Sequence, residues 1–352
     1  MQFTFTEEQE EFRRYLRRFL DDKSPATEVR RLMETDDGYD PAVWRQLCND
    51  LGLPAVQIPE TYGGQGFGFV ELGIVLEEMG RALLCAPYFA SAVLASNAIL
   101  NAATEEQKRE LLPPLAAGEV VATLALAEDS GRWDCAGIAM TASRTDCGFV
   151  LEGVKSFVLD GHTAGLIVVA ARRAGTEGDE GLSLFAVNAD ASGLTRKLLQ
   201  SADPTRKLAR LEFNAVPATL LGEEEAAAAP LAKTLDQAAA CLASEMVGGA
   251  ERLRESALEY AQMRMQFGRP IASFQAIKHK SAELLLEVEL AKSAAYYAAQ
   301  AADDEADDLP AVASLAKACA ADAYTQTAVA TVQLHGGIGF TWDNDTHLWF
   351  KR

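Results

Sequence analysis

Phe149-Val-Leu-Glu-Gly-Val-Lys-Ser-Phe-Val-Leu-Asp-Gly-His-Thr-Ala-Gly-Leu-Ile-Val-Val-Ala170 is built of short apolar runs broken by turn residues. Phe149-Val-Leu, Ser156-Phe-Val-Leu and Leu166-Ile-Val-Val-Ala read as strands, and Glu152-Gly153 and Asp160-Gly161 as tight turns between them. The same texture continues through Leu182-Ser-Leu-Phe-Ala-Val and Leu208-Ala-Arg-Leu-Glu-Phe. Several short strands in one block, from Val120 to about Leu221, predict an antiparallel sandwich or barrel.

On either side the pattern is helical. Thr6, with Glu8 and Gln9 behind it, marks a helix start, after which Phe12, Tyr15, Leu16, Phe19 and Leu20 recur at helical spacing. Pro41 opens a second helix carrying Val43, Trp44 and Leu47. Glu60-Thr-Tyr-Gly-Gly-Gln-Gly66 is too glycine-rich to be helical and reads as a loop. A helical stretch from Phe69 to Leu84 follows, and Thr104-Glu-Glu-Gln107 caps a helix leading into Leu111 and Leu112. Beyond Ala226, Leu235, Leu242, Met246, Leu253 and Tyr260 form one helical stripe. Phe274, Ile277, Leu284, Leu285 and Val288 form another after Pro270. The acidic run from Asp303 to Asp308 reads as a solvated turn. A third helix runs from Pro310 to His335, where Gly336-Gly337 stops it. The expected class is α+β: an N-terminal helical domain (1–118), a middle antiparallel β-domain (119–223) and a C-terminal helical domain (224–352).

Lys and Arg number 32 against 51 Asp and Glu, a formal net charge of −19. That surface repels phosphate backbones and anionic lipid, so nucleic acid and membrane are not expected partners. An anionic ligand needs a local basic patch, for which Arg264, Arg269, Lys278 and Lys280 are candidates. The first 22 residues lack a basic segment leading into an apolar core, and no apolar run is long enough to span a bilayer. The six cysteines (Cys48, Cys85, Cys135, Cys147, Cys241, Cys319) are scattered, with no CxxC pair. Neither a zinc site nor a disulfide framework is expected, and a reduced cytoplasmic setting is the simplest. His335 and His347 have no spaced carboxylate or cysteine partners, so no metal is expected. Neither a Rossmann nor a P-loop fingerprint occurs.

Four segments carry a resemblance to the acyl-CoA dehydrogenase family over essentially the whole length. Ile58-Pro-Glu-Thr-Tyr-Gly-Gly-Gln-Gly66 resembles its N-terminal loop. Gln107-Lys108 through Leu111-Leu-Pro-Pro and Gly118-Glu119 resembles the lead into its β-domain. Met263-Arg-Met-Gln-Phe-Gly-Arg-Pro270, with Ser273-Phe-Gln-Ala-Ile277, resembles its dimer-contact FAD motif. Val332-Gln-Leu-His-Gly-Gly-Ile-Gly-Phe340 resembles the glycine turn that meets a neighbouring subunit's FAD. The resemblance implies a C-terminal four-helix bundle and FAD as cofactor, held by Arg264, Gln266, Phe267, Phe274, Gln275, Gln333, Gly336 and Gly337. An arginine fork suits a pyrophosphate. Taken without the family, Arg264 reads rather as a solvated helix arginine, Gln275 and Gln333 as surface amides, and the paired glycines as a helix stop. Trp342 and Trp349 read as core or interface aromatics rather than flavin stackers. The implied partners are an acyl-CoA substrate, an electron-transfer acceptor protein, and further subunits in a homo- or heterotetramer with a paralogous chain.

The match fails at the catalytic base. In this family a carboxylate removes the α-proton of the thioester while the β-hydride passes to flavin. One family position for it falls on Ala238, and the other lies beyond Arg352. Asp236 lies on a different helix face from Ala238. Glu245 is nearly two turns along and is the one weak candidate in the chain. The family's Thr-Glu-Pro and Gly-Ser-Asp run is Ala127-Glu-Asp-Ser-Gly-Arg-Trp-Asp134 here, and its Trp-Ile-Thr/Ser strand is Phe157-Val158-Leu159. Leucine cannot donate a hydroxyl hydrogen bond to flavin. Such departures resemble the short subunit of heteromeric family members that act on bulky acyl groups, steroid side chains included. Three functions stay open: a dehydrogenase subunit forming an α,β double bond, a non-catalytic partner completing another chain's FAD site, and a related acyl-CoA oxidase or flavin monooxygenase.

Overall fold

A computed structural model describes residues 5–146 and 148–352. Cys147 lies outside the described residues, as do the first four residues of the stretch weighed above as a leader. The other five cysteines form no disulfide among the described residues. Helices α1 (Glu7–Lys23), α2 (Ala26–Met33), α3 (Pro41–Asn49) and α4 (Phe69–Ala82) come first. A π-helical stretch, Phe89–Ala95, runs into α5 (Ser96–Ala102), and α6 (Glu105–Ala116) follows. Strands β1 (Ala122–Ala125), β2 (Thr141–Thr145), β3 (Gly148–Leu159), β4 (Leu166–Arg173), β5 (Leu182–Asn188), β6 (Leu194–Leu198) and β7 (Leu208–Leu221) form the middle block. Helix α7 (Ala228–Met263), a small hairpin of β8 (Met265–Gln266) and β9 (Arg269–Pro270), α8 (Gln275–Asp303), α9 (Leu309–His335), α10 (Gly337–Phe340) and α11 (Thr346–Lys351) complete it. The expected helix–strand–helix order is present.

Local chemistry explains the helix starts. The Thr6 hydroxyl accepts from Gln9 N at 3.2 Å while the Gln9 side chain accepts from Thr6 N at 2.9 Å, a reciprocal cap. Thr104 and Gln107 repeat it at 3.3 and 3.0 Å. Pro41 opens the third helix rather than the second. The helix before it, α2, has Val29, Leu32 and Met33 at helical spacing but is only eight residues long, so no stripe is visible in the sequence. The glycine loop contains a single 3-10 turn, Glu60–Tyr62, ended by Gly63 at φ 81°.

The chain forms two compact units. In the unit made of Leu32–Phe67 and Cys85–Ala238, β5 pairs with both β4 and β7, which closes the ring β4-β2-β3-β7-β5. Pairing is antiparallel except where β1 and β2 run parallel to β4. Glu152-Gly153 is not a turn: β3 continues through it with a bulge against β7. Gly153 sits at φ 143°, and a Cβ there would press on Met140 at 3.0 Å, so an Asx/Glu-Gly pair here marks a bulge rather than a chain reversal. The turn expected at Asp160-Gly161 is present, with Asp160 at φ 49°. Strand β4 explains its unbroken apolar run: Leu166, Val168 and Ala170 face one core with α5 and α6, while Ile167, Val169 and Ala171 face the barrel core.

The other unit comprises Met1–Arg31, Gly68–Leu84 and Ala239–Arg352. Three long helices, α7, α8 and α9, form its bundle together with α4 and α1. Helices α4 and α7 approach closely through reciprocal glycines. A Cβ on Gly80 would fall 2.0 Å from the Glu245 carbonyl, and one on Gly248 only 1.7 Å from that of Glu77. The alanine-rich faces of α8 and α9 are packed inside the bundle: Ala291, Ala295, Ala298, Ala313, Ala316 and Ala320 lie in one buried cluster.

The acidic run Asp303–Asp308 begins inside α8, so its first residue is helical and half-buried rather than part of a solvated turn. The Asp303 carboxylate accepts from Phe69 N and, at 3.1 Å, from Val70 N, and so caps the start of α4 from another helix. Gly68 permits this, because a Cβ there would meet the carboxylate at 2.2 Å. Burial raises the Asp303 pKa, against the pull of the two amides. Between the unfolded and the raised folded pKa the folded state holds the extra proton, so this group's stabilisation is present at low pH and lost as pH rises through the folded value. Asp303→Ala should cost about 1–2 kcal/mol in a denaturant titration, whereas Asp303→Asn, which keeps an acceptor without the charge, should cost clearly less at neutral pH.

Candidate functional site

The residues at the end of α7 form an exposed turn. Arg264 N donates to Tyr260 O at 2.8 Å and Ile271 N to Arg264 O at 2.9 Å, which closes the β8–β9 hairpin. Phe267 and Gly268 at its tip have φ 53° and 79°. Phe267 is 89% exposed, its ring edge-on to Phe274 at 6.0 Å, and the Arg269 guanidinium lies 4.1 Å over Phe274. The side chains of Arg264, Gln266, Gln275 and Gln333 are exposed and make no hydrogen bond or ion pair among the described residues.

The glycine turn lies in the same unit. Helix α9 ends at Gly336, at φ 65°, and a Cβ on Gly336 or Gly337 would meet nothing within 4 Å. Gly337 also begins the short α10, so the pair turns the chain rather than only stopping a helix. The buried His335 ring stacks on Tyr260 at 4.3 Å, one turn before Arg264. That contact joins the arginine motif to the glycine turn, and His335, weighed in the sequence only as a metal ligand, is part of this joint. No group of His, Cys, Asp and Glu able to hold a metal occurs among the described residues. Trp342 lies beneath Lys351 at 3.8 Å, while Trp349 is buried.

These features suit FAD on one side. Arg264 offers an unpaired fork for a pyrophosphate, and Gly268, Gly336 and Gly337 leave open backbone for close approach. Of the basic candidates, Arg264, Arg269 and Lys278 are exposed, and Lys280 sits 3.5 Å from Glu283.

The β-barrel side offers flavin less. Phe157 stands out at φ 58° and 51% exposure, at a bulge in β3. Leu159 presents only a carbonyl, which accepts from Thr123 Oγ1 at 2.6 Å. The nearby polar groups serve one another: Asp129 accepts from Ser156 and Arg210, and Arg210 also reaches the Ser156 hydroxyl at 3.2 Å.

The two carboxylates nearest Ala238 in sequence have different surroundings. Glu245 is buried and paired with Arg352 Nη1 at 3.0 Å. Asp236 lines a cavity of about 680 Å³ with Trp133, Cys135, Asp179, Ala232 and Leu235, and burial raises its pKa. Ala238 itself is buried.

Known proteins are similar to this chain over most of its length. Family models for the N-terminal, middle and C-terminal domains of acyl-CoA dehydrogenase match residues 6–119, 123–216 and 229–352. Acyl-CoA dehydrogenase IpdE2 of Mycobacterium tuberculosis is 34% identical over 324 residues, spanning 92% of this chain and 84% of that protein. Among solved structures, a variant of the steroid ACAD Tcur3481-Tcur3483 superposes with TM-score 0.87 at 33% identity, covering 98% of this chain and 91% of that one. The ChsE4-ChsE5 complex of Mycobacterium tuberculosis superposes with TM-score 0.87 at 27% identity, covering 99% and 92%.

Proposed function

The chain belongs to the acyl-CoA dehydrogenase family, and on that premise we propose that it supplies the helical half of an FAD site in an assembly with a paralogous subunit. The observation that carries this is the contrast between its two sides. Arg264, Gln333 and the open glycines are free to receive a dinucleotide, while Ala127 and Leu159 carry no hydroxyl for the flavin ring. Residues 1–118, 119–223 and 224–352 are then its three working parts. FAD held there would supply hydride-acceptor chemistry for the β-hydrogen of an acyl-CoA. Electrons would leave through an electron-transfer acceptor protein.

The part of the chain's own residues is to bind and orient. The Arg264 fork would hold phosphate, with Gln266, Phe267, Phe274, Gln275 and Gln333 framing the dinucleotide. The cavity beside Trp133 and Asp236 would take the acyl group. Its carboxylates Asp134, Asp179 and Asp236 disfavour the anionic end of CoA there. A bulky, ring-containing acyl group is the substrate class we assign, supported by the cavity's size and by the steroid ACAD among the similar structures. Exposed Leu285, Leu286 and Leu290 on α8 and Leu315 and Val329 on α9 would form the subunit contact. No helix among the described residues is long and apolar enough to cross a membrane.

The visible spectrum of the purified chain, alone and assembled, tests this reading. A colourless chain that acquires flavin only with a paralogous subunit is expected; a yellow homomer that turns over acyl-CoA would contradict it. Sedimentation should show an oligomer at micromolar concentration.

Glu245 separates a structural from a catalytic role. Its pairing with Arg352 supports the structural one. Glu245→Gln should lower stability by about 1–3 kcal/mol, because it leaves a buried guanidinium less well partnered. It should leave turnover of the assembled enzyme within a few-fold. A loss of about 10² or more in turnover would instead mark Glu245 as the general base.

A further inference from the structure

The segment Glu128–Met140 forms one wall of the cavity beside Asp236, yet it contains no strand and only one short 3-10 turn, Cys135–Gly137. Trp133, 68% exposed, projects from it. A segment so poor in backbone pairing is ordinarily mobile. Here two buried cations hold it. Lys155, fully buried in β3, donates from Nζ to Leu126 O at 2.9 Å and to Glu128 Oε1 at 2.8 Å. The Glu128 carboxylate in turn accepts from Ala139 N at 3.0 Å and Met140 N at 2.9 Å, so it ties the two ends of the segment together.

Arg172, buried in β4, holds the middle. Its guanidinium donates to Ile138 O at 2.5 Å and Cys135 O at 2.9 Å, and also to Gly178 O at 2.8 Å and Glu180 O at 3.3 Å. All four acceptors are main-chain carbonyls, so the charge serves to lock backbone rather than to pair with a carboxylate. Burial lowers the Lys155 pKa to about 8, against the pull of Glu128, which shows how far this ammonium has been taken from water to make these contacts.

We propose that Lys155 and Arg172 are positioning residues, which fix Glu128–Met140 as a rigid wall of the cavity and thereby set the affinity for the acyl group. The proposal rests on the assignment of that cavity to the acyl group. Neither residue touches the reacting atoms; each acts through the segment it holds.

Hydrogen exchange and ligand binding on the assembled enzyme test it together. Glu128→Gln keeps the size and an acceptor oxygen but removes the carboxylate charge that strengthens the hydrogen bonds from two backbone N–H groups and an ammonium. Arg172→Lys cannot reproduce the four-carbonyl fork. Because Arg172→Lys risks misfolding, Glu128→Gln is the variant that decides. Exchange at Ala139 and Met140 should accelerate by at least about tenfold in both variants, the loss expected for a charge-assisted hydrogen bond, with helices α8 and α9 unchanged. The dissociation constant for a thioether analogue of a bulky acyl-CoA should rise several-fold, with flavin content unaltered. Unchanged exchange in Glu128→Gln, or faster exchange with unchanged affinity, would overturn the proposal. A wild-type assembly that does not bind the analogue would instead remove the assignment of the cavity, a failure read on the unmutated protein.

Discussion

Arg13→Ala should lower the unfolding free energy by about 3–5 kcal/mol, the usual cost of leaving a buried charge without its partner. Arg13 projects from α1 into the bundle and is nearly buried. Its Nη1 lies 2.8 Å from Glu77 and 3.4 Å from Glu78, two carboxylates buried on α4. Arg17 supports Glu78 from the wet side, at 2.8 and 2.6 Å. The Tyr296 hydroxyl donates to Glu77 at 3.0 Å, and burial followed by the Glu77 charge keeps that hydroxyl protonated far above its ordinary range. Phe5 closes the cluster, edge-on to Tyr296 at 4.8 Å and 4.7 Å from the Arg13 guanidinium. With Arg13 gone, Glu77 keeps one neutral donor and cannot escape to water. Tyr296→Phe should cost less, about 1–3 kcal/mol, because only that donor is lost. Lys280→Ala, at an exposed pair with Glu283, should be nearly neutral. Equal, small effects for Arg13 and Lys280 in urea titrations would show that the cluster does not stabilise the bundle.

That cluster was illegible in the sequence. Glu77 and Glu78 sit inside an apolar stretch of α4, and nothing in their spacing says that Arg13, more than sixty residues earlier, will reach them. Lys155 and Arg172 show the same limit: each is a charge inside an apolar strand run, a local signal of something buried, but its carbonyl and carboxylate partners are set by tertiary packing. What was legible was the content of local chemistry. Thr6 and Thr104 cap helices as their Gln partners predict, and the apolar run Leu166–Ala171 is a strand buried on both faces. Glu152-Gly153 misled because glycine at positive φ serves a bulge as well as a turn. Gly336-Gly337 was legible as a helix stop, but only the resemblance ties it and Arg264 to a cofactor, since an exposed arginine and paired glycines are individually common. Their junction through Tyr260 and His335 is a contact between residues 75 positions apart that leaves no mark in the local sequence.

Arg264→Ala and Gln333→Ala should each weaken FAD binding by the assembled enzyme. Arg264 is exposed and without an ion pair among the described residues, so it can give its full fork to a phosphate. Loss of one charge-assisted hydrogen bond costs about 1.5–3 kcal/mol, or roughly ten- to a hundredfold in affinity. Arg264→Lys should recover only part of that, because an ammonium lacks the planar fork. Gln333, being neutral, should give the smaller effect. Neither change should alter folding stability appreciably, since neither side chain makes a hydrogen bond among the described residues.

The FAD dissociation constant of the assembled enzyme, measured side by side for the unmutated protein, Arg264→Ala and Gln333→Ala, is the direct test of whether this chain supplies the helical half of the site. Weakening by about tenfold or more in Arg264→Ala, at unchanged thermal stability and oligomeric state, is the predicted result. An unchanged dissociation constant and flavin stoichiometry in both variants would contradict it.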